Sequence, residues 1–251
     1  MSSRMKTVFL FIVEGISDKS LLEPLINKIV DTKKIHIEYT NGDITALTKP
    51  ADMRKKLGEV IKRFQTNNRS LAHYIEKVIF ITDTDGCFID DSFIYYSTKD
   101  TNFRYEDNGI YTDRPQDVIL RNNYKANNAN MLSSTAKIMR LPLETYYFSC
   151  NLDHVFYNER NLENKLKYEY ADAFTDEYDG RESEFITFFS KNSLTLSNDY
   201  KNSWDNIKQD LNSLLRYSNF HLFFINNQDF LSEECKKHLN NAYLNGNINH
   251  E

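Results

Sequence analysis

The chain has 251 residues, enough for one hydrophobic core with a modest extension, and its 40% hydrophobic and 27% charged residues exclude wholesale disorder. Three cysteines without a C-x-x-C pair exclude a zinc knuckle and a disulfide framework. The net charge of −5 argues against a nucleic-acid partner, but it hides a basic stretch, because residues 114–140 carry five basic residues and one acid.

Continuous apolar runs that alternate with helical patterns predict a parallel α/β sheet. Short runs rich in β-branched and aromatic residues are typical of buried parallel strands, and apolar residues three and four apart predict the helices between them. Such an alternation implies one sheet with right-handed crossovers. In chain order the pattern predicts a strand at Val8–Val13, a helix capped by Ser17 or Asp18 and ending at Ile29, a short strand at Ile35–Tyr39, a helix at Asp52–Phe64, and strands at Lys77–Thr82 and Thr145–Ser149.

The polar and acidic parts of the chain predict additions to this sheet. The Asn-rich, basic segment at about 90–140 predicts an insertion with a helix near Ala129–Arg140. Residues 161–251 predict a mostly helical extension for dimerisation or for docking to a partner, with a strand at His221–Ile225 and an acidic loop at Asp172–Glu184. The predicted domains are a core at 1–160, which includes the insertion, and the extension at 161–251.

The apolar run at the N-terminus predicts a strand rather than a targeting segment. It ends at Val13, meets Glu14, and is followed by no small-residue cleavage site. No run approaches the roughly 18 consecutive apolar residues that a membrane span requires. We therefore expect a cytoplasmic protein with no membrane partner.

Carboxylates stand at the ends of three predicted strands. Glu14 directly follows the first apolar run, Asp83 and Asp85 follow Lys77–Thr82, and Asp153 lies shortly after the last run. Because ligands bind outside the carboxyl ends of parallel strands, we expect these carboxylates at one edge of the sheet. Carboxylate oxygens are ligands that Mg²⁺ prefers. An extended backbone from Asp83 to Asp85 would let both face one ion, so the sequence predicts a Mg²⁺ (or Mn²⁺) site.

These motifs, in this order, resemble the Toprim family, which includes topoisomerases, bacterial primases, recombination factors and overcoming-lysogenization-defect (OLD) nucleases. Glu14-Gly15, continued to Asp18, resembles the family's Glu-Gly-x-x-Asp motif. Asp83-Thr84-Asp85 resembles its Asp-x-Asp motif, and the stretch between the two motifs has room for one strand and two helices, as the fold requires. The resemblance covers roughly residues 6–90 and extends towards residue 158.

The resemblance implies a Toprim-like parallel sheet flanked by helices and a metal-dependent nuclease. In it, Glu14 would be the general acid/base or a metal ligand, and Asp83 and Asp85 would bind Mg²⁺. Asp18 and Asp153 would bind a second ion. The sequence contains no Walker A motif and no recognisable topoisomerase-type tyrosine domain. It therefore resembles stand-alone Toprim proteins of phage-defence systems, which implies an antiviral effector whose partners are a separate ATPase or a second copy of the chain.

Phosphate contacts are predicted from the basic stretch and from one histidine. Lys125, Lys137 and Arg140 lie in that stretch, and His154 follows Asp153. Cationic side chains near a carboxylate site favour contacts to the phosphates of DNA or RNA. The alternative for the three basic residues is an ordinary solvated helix face, and His154 can equally be a structural residue.

Other interpretations stay open at this point. Glu14 can complement a helix dipole, and Asp83 and Asp85 can form a turn. The Asp-x-Asp-Gly motif also resembles the nucleophile motif of haloacid-dehalogenase-type phosphatases, in which the first Asp is phosphorylated. That motif normally follows the first strand, and it leaves Glu14 unexplained. A catalytically silent Toprim-like module that binds or senses through a partner is the non-enzymatic alternative.

Overall fold

The computed structural model describes residues 8–30, 34–40 and 42–244, and its fold is α/β. Its strands are β1 (Val8–Val13), β2 (Lys34–Tyr39), β3 (Ile75–Asp83), β4 (Ile94–Tyr96), β5 (Arg104–Glu106), β6 (Gly109–Thr112), β7 (Lys137–Ile138) and β8 (Leu141–Phe148). In the described part of the chain, five of them form the main sheet in the order β2-β1-β3-β8-β7. The first four in that order are parallel, whereas β7 runs antiparallel to β8. The other three strands form a small separate sheet, in the order β4-β6-β5.

Helices flank the main sheet and dominate the C-terminal region, as the sequence predicts. They are α1 (Ile16–Ile29), α2 (Ile44–Leu47), α3 (Met53–Asn67), α4 (Arg69–Ala72), α5 (Pro115–Ser133), α6 (Leu152–Tyr157), α7 (Lys167–Glu177), α8 (Glu182–Phe185), α9 (Phe188–Lys191), α10 (Tyr200–Ile207), α11 (His221–Asn226) and α12 (Glu233–Leu239). Short 3-10 turns lie at Pro50–Asp52, Asp91–Phe93, Asn164–Leu166 and Gln228–Phe230, and a π-helical turn lies at Asn240–Leu244. Among the described residues, no helix is both long and apolar enough to span a membrane.

Alternation along the central strands sends side chains to two separate cores. Phe9 and Phe11 of β1 face one core, whereas Leu10 and Ile12 face the other. The second core is closed by α3, whose apolar stripe includes Leu57. The first core is closed by α1 and by helices of the C-terminal region. The site described below lies at the end of the sheet between these two layers.

The C-terminal helices share a core with the sheet. Phe220 and Phe223, at and near the start of α11, contact Phe11 and Tyr146 with ring centroids 5.1–6.5 Å apart. Edge-to-face pairs at such distances add to the hydrophobic gain from burial. The described helices after residue 160 therefore share a core with the sheet, and the division into a core at 1–160 and an extension at 161–251 stays a prediction.

Three predicted elements differ from the structure. The helix predicted near Ala129–Arg140 is the end of α5, which stops at Ser133, because an Asn-rich sequence hides the helical pattern before it. The strand predicted at His221–Ile225 is helix α11, because a short apolar run does not distinguish a buried strand from a buried helix. The acidic loop predicted at Asp172–Glu184 contains the end of α7 and the start of α8, and Phe174 anchors α7 to the core.

Candidate metal centre

Three carboxylates converge at the carboxyl edge of the main sheet. Glu14 follows β1, Asp43 lies in the loop after β2 and caps α2, and Asp85 follows β3. One ligand oxygen from each lies within 4.8 Å of the other two, so the three could hold a metal ion. All three are partly buried, and the lower dielectric of such a place strengthens their attraction for a cation.

Asp43 reaches this site because β2 lies beside β1. The loop after β2 donates backbone hydrogen bonds from Thr40 and Gly42 to the carbonyls of Val13 and Glu14, at 3.0 and 3.2 Å. Asp43 Oδ1 caps α2 by accepting from two backbone amides, at 2.8 and 3.0 Å, while Oδ2 is turned to the site. Asp43 was not among the predicted ligands, although its position after a predicted strand was a signal for it.

The ammonium of Lys125 lies among the three carboxylates. Its Nζ is 2.5 Å from Asp43 Oδ2, 2.6 Å from Asp85 Oδ2 and 3.4 Å from Glu14 Oε1. The side chain is 0% exposed. Burial alone would lower its pKa, but the carboxylates outweigh burial and raise the pKa well above its ordinary value. The ammonium is therefore charged, and it neutralises part of the cluster from inside the protein rather than from a solvated helix face.

Glu14 carries a proton at neutral pH when no cation is bound. Its Oε1 accepts hydrogen bonds from Thr82 Oγ1 at 3.0 Å and from the backbone amide of Asp83 at 3.1 Å. Burial, and then the negative charge of Asp43, raises the pKa of Glu14 to about 8, although Lys125 acts in the opposite direction. A group that titrates near neutral pH is suited to general acid/base work.

Asp83 lies beside the converging three. Its Oδ1 accepts from the backbone amide of Leu152 at 3.0 Å, at the start of α6. Burial, and then the nearby charge of Glu14, raises its pKa well above the ordinary value. The backbone expected to stay extended from Asp83 to Asp85 instead turns sharply, because Asp85 has a φ of 49°. This turn points Asp85 towards Lys125, so the extended backbone that was expected from Asp83 to Asp85 is absent at Asp85.

Asp85 is held in one orientation by its neighbours. Its Oδ1 accepts from the hydroxyl of Tyr105 at 3.1 Å, and its carbonyl accepts from Arg121 at 2.8 Å. Arg121 also donates to the Tyr105 oxygen at 2.7 Å. Burial alone would raise the pKa of Asp85, but Lys125 and Arg121 outweigh it, so the pKa lies below its ordinary value. Asp85 is therefore a fixed, ionised carboxylate.

Gly86 makes the sharp turn possible, and its substitution gives a first prediction. Its φ is +69°, and an added Cβ would lie 2.5 Å from Leu214 Cδ2 and 3.2 Å from Ile110 Cδ1. We expect Gly86→Ala to lower the free energy of unfolding by about 2–4 kcal/mol, since left-handed strain and overpacking add.

Gly180→Ala is the matched control for this prediction in urea unfolding. Gly180 has a similar φ of +71°, but an added Cβ there meets nothing within 4 Å. Its substitution should lower the free energy of unfolding only by the strain of the left-handed backbone, about 1–2 kcal/mol. Equal losses in the free energy of unfolding of the two variants would show that overpacking against Leu214 does not contribute to the effect of Gly86→Ala.

Glu14, Asp43 and Asp83 open into a cleft of about 350 Å³, which Asp85 does not line. The cleft is lined by four acids and by two residues at the start of α7, namely Glu14, Asp18, Asp43, Asp83, Lys167 and Tyr168. Asp18 also accepts from the backbone amide of Gly15 at 2.9 Å, which satisfies a backbone donor at the start of α1. Asp18 is thus a helix cap and a wall of the cleft at once.

Asp153 is paired rather than directed at the converging carboxylates. Its buried side chain lies 2.7 Å from Lys167 Nζ. Burial raises the pKa of Asp153, and Lys167 partly offsets that effect. The pair lines a groove next to the carboxylate cleft, so Asp153 reaches a cation only if Lys167 moves.

The residues predicted to contact phosphates lie in different parts of the structure. Lys137 and Arg140 lie in and beside β7, at the amino end of β8, which is the edge of the sheet opposite Asp83. His154 is buried, and burial, followed by the charges of Arg160 and Arg216, lowers its pKa to about 4. His154 is therefore neutral at pH 7, and its Nε2 lies 3.1 Å from Arg160 Nη2.

No protein-family model, curated protein or solved structure matches this chain. The strand-end carboxylates and their surroundings are therefore the basis for a functional argument, together with the motif resemblance to Toprim proteins.

Proposed function

We propose that this site binds a divalent cation, Mg²⁺ or Mn²⁺, and hydrolyses phosphodiester bonds of DNA or RNA. The observation that carries the proposal is the convergence of Glu14, Asp43 and Asp85 within 4.8 Å, at the sheet edge where ligands of parallel α/β folds bind. All the ligand atoms are carboxylate oxygens, the donors that hard divalent cations prefer. The motif resemblance supports nucleic acid as the substrate.

The charges of the site favour the uptake of a cation. Glu14, Asp43, Asp83 and Asp85 are crowded around the single ammonium of Lys125. Burial, and then the negative charge of neighbouring acids, raises the pKa values of Glu14 and Asp83. When bound by Glu14, Asp43 and Asp85, a divalent cation supplies Lewis-acid stabilisation of the charge on phosphate oxygens.

Each protein group then has a distinct task. Glu14 holds a proton near neutral pH only while no cation is bound, so it is either a ligand of the cation or the candidate general acid/base. Asp85 is kept ionised and oriented by Tyr105 and Arg121. Lys125 holds the carboxylates of Asp43 and Asp85 in place, so a cation either displaces its ammonium or binds on the Asp83 side of Glu14.

One observation favours a second candidate, a Toprim-like binding module without turnover. Lys125 already bonds to all three converging carboxylates, and an internal ion pair can be structural. We prefer hydrolysis because Glu14 and Asp83, whose pKa values are raised, can release protons when a divalent cation binds beside Asp43 and Asp85. The biological setting that the resemblance implies, a cytoplasmic antiviral effector acting beside a separate ATPase or as a dimer, is part of the proposal.

The double variant Asp83→Ala/Asp85→Ala tests the proposed hydrolysis. We expect Mg²⁺-dependent cleavage of supercoiled plasmid or of RNA to fall by at least about 10²–10³-fold, because a ligand and its neighbour are removed. Nucleic-acid binding should persist. Asp91→Ala/Asp229→Ala, which removes two exposed acids, is the control and should cleave normally.

The same assay separates the alternatives. Unchanged cleavage in the Asp83→Ala/Asp85→Ala variant would contradict the proposal. Wild-type protein that binds nucleic acid without cutting it would support the silent module. Release of phosphate from small esters with an aspartyl-phosphate trapped at Asp83 would support the phosphatase.

A further inference from the structure

A polar groove continues from the carboxylate cleft across the surface. It encloses about 750 Å³ and shares Asn164 and Lys167 with the cleft. At its other end it shares Arg160 and Asn161 with a recess of about 430 Å³, which Arg216 also lines. The three cavities therefore follow one another along a single path that begins at the candidate metal centre.

The walls of the groove carry an excess of positive charge. Its basic residues are Lys99, Arg104, Arg160, Lys165 and Lys167, and its acids are Asp100, Asp153 and Glu163. Each acid is paired with one of these bases, at 2.7–2.8 Å. Lys165 and Glu163 are both largely exposed, so water and salt weaken that pair. The remaining two basic residues, Lys99 and Arg160, are not paired with any acid that lines the groove.

Arg160 is held in place where the groove and the recess meet. Its Nη2 donates to His154 Nε2 at 3.1 Å and to Asp107 Oδ1 at 2.6 Å. Because a guanidinium can only donate, Nε2 is the unprotonated nitrogen of the buried imidazole. Asp107 is 79% exposed, so a stronger anion can replace it at little cost. A preorientated guanidinium of this kind suits a phosphate, which it can bind through two parallel hydrogen bonds.

The groove wall is tied to the carboxylate cluster. Asn161 accepts from the backbone amide of Tyr105 at 2.9 Å and donates to the carbonyl of Tyr105 at 2.8 Å. The hydroxyl of the same tyrosine holds Asp85. A ligand that lies along this wall is therefore positioned relative to Asp85 of the candidate metal centre.

From this geometry we infer that the groove binds the phosphate backbone of a nucleic-acid strand, with Arg160 as its central contact and Lys165 and Lys99 beside it. The inference rests on the proposed function for its choice of nucleic acid. Amide and basic side chains dominate the lining, and Phe103, Tyr105 and Leu162 are its apolar members. Such a polar, cationic surface fits a hydrated polyanion and does not fit an apolar peptide or lipid chain. His154 is a positioning residue for Arg160.

The test compares two double variants that remove equal charge from different places. Arg160→Ala/Lys165→Ala changes the groove, and Lys137→Ala/Arg140→Ala changes the opposite edge of the sheet. Binding of fluorescent single-stranded DNA and RNA oligonucleotides is measured by polarisation at several salt concentrations, without Mg²⁺. We expect the groove variant to bind at least about tenfold more weakly, with the slope of log K against log salt reduced by about 1–2. The control should bind within about twofold of wild type.

Further variants keep the inference falsifiable if the double variant does not fold. Arg160→Lys keeps the charge and loses the planar fork, and it should bind more weakly than wild type with little change in the salt slope. His154→Gln should weaken binding in wild type but not in the Arg160→Ala background. Equal losses in the groove and opposite-edge variants, or no binding by wild type, would overturn the inference.

Cleavage assays on the same variants distinguish this inference from the proposed function. Groove-dependent binding without cleavage by wild type would contradict hydrolysis and leave the groove in place. Cleavage by wild type that both double variants weaken equally would overturn the groove and leave hydrolysis in place.

Discussion

Replacing Lys125 by methionine should destabilise the metal-free protein by about 3–5 kcal/mol at neutral pH, since it leaves buried carboxylates without their cation. The ammonium of Lys125 contacts Asp43, Asp85 and Glu14, and methionine fills a similar volume without charge. Urea unfolding in the presence of a chelator measures the loss. Lys137→Met, at an exposed site, is the control and should stay within about 0.5 kcal/mol of wild type.

Divalent cations should restore part of the stability that Lys125→Met loses. If the three carboxylates are a metal site that Lys125 fills in the absence of metal, Mg²⁺ or Mn²⁺ will raise the melting temperature of Lys125→Met more than that of wild type. Adding Asp43→Asn to Lys125→Met should recover part of the lost stability without metal, because it removes one of the unpaired charges. A Lys125→Met protein as stable as wild type, or equally stabilised by metal, would contradict this reading of the cluster.

Glu14→Gln should abolish most hydrolysis and change how stability depends on pH. We expect cleavage to fall by roughly 10²–10⁴-fold, because glutamine cannot transfer the proton or ligate as an anion. In the metal-free wild type, the pKa of Glu14 is about 8 in the folded state. The unfolded value is near 4.5, so between these pH values the folded state binds one more proton than the unfolded state.

Stability of the metal-free protein should therefore fall as pH rises from 4.5 towards 8. The glutamine variant lacks this titration. At pH 8 its free energy of unfolding should therefore exceed that of wild type by about 1–3 kcal/mol, and at pH 5 the difference should be much smaller. Urea unfolding at the two pH values measures the difference. Glu59→Gln, which changes an exposed acid on α3, is the control and should keep the pH dependence of the wild-type protein. A parallel pH dependence in wild type and Glu14→Gln would show that the Glu14 carboxyl is not perturbed.

The strand-end carboxylates were predictable because strand position fixes them. Val8–Val13 is a strand at the predicted bounds, and the predicted strand at Lys77–Thr82 lies within β3, so Glu14 and Asp83 could be placed at one edge of the sheet. Asp43 also follows a predicted strand, but that strand is short and half-polar, so its strand-end signal is weaker than those of Glu14 and Asp83. Its role depends on β2 pairing with β1, which is a tertiary fact.

Lys125 was expected to contact phosphate or solvent, because polar residues usually face water, but its side chain is buried. The buried face of α5 carries Val118, Asn122, Lys125, Ala129 and Leu132, which are spaced by four, three, four and three residues. That spacing is a helical stripe, and it was a usable signal. The polar members of the stripe obscured it, since a buried lysine is rare unless carboxylates surround it.

Mn²⁺ soaked into crystals of the protein at pH 8, followed by anomalous diffraction, tests the central claim most directly. We predict a peak bound by carboxylates of Glu14 and Asp85, with Asp43 or Asp83 as a further ligand, and a displaced Lys125 ammonium wherever Asp43 takes part. No peak at these carboxylates, with Lys125 still bonded to both Asp43 and Asp85, would contradict the account and identify the cluster as an internal ion pair.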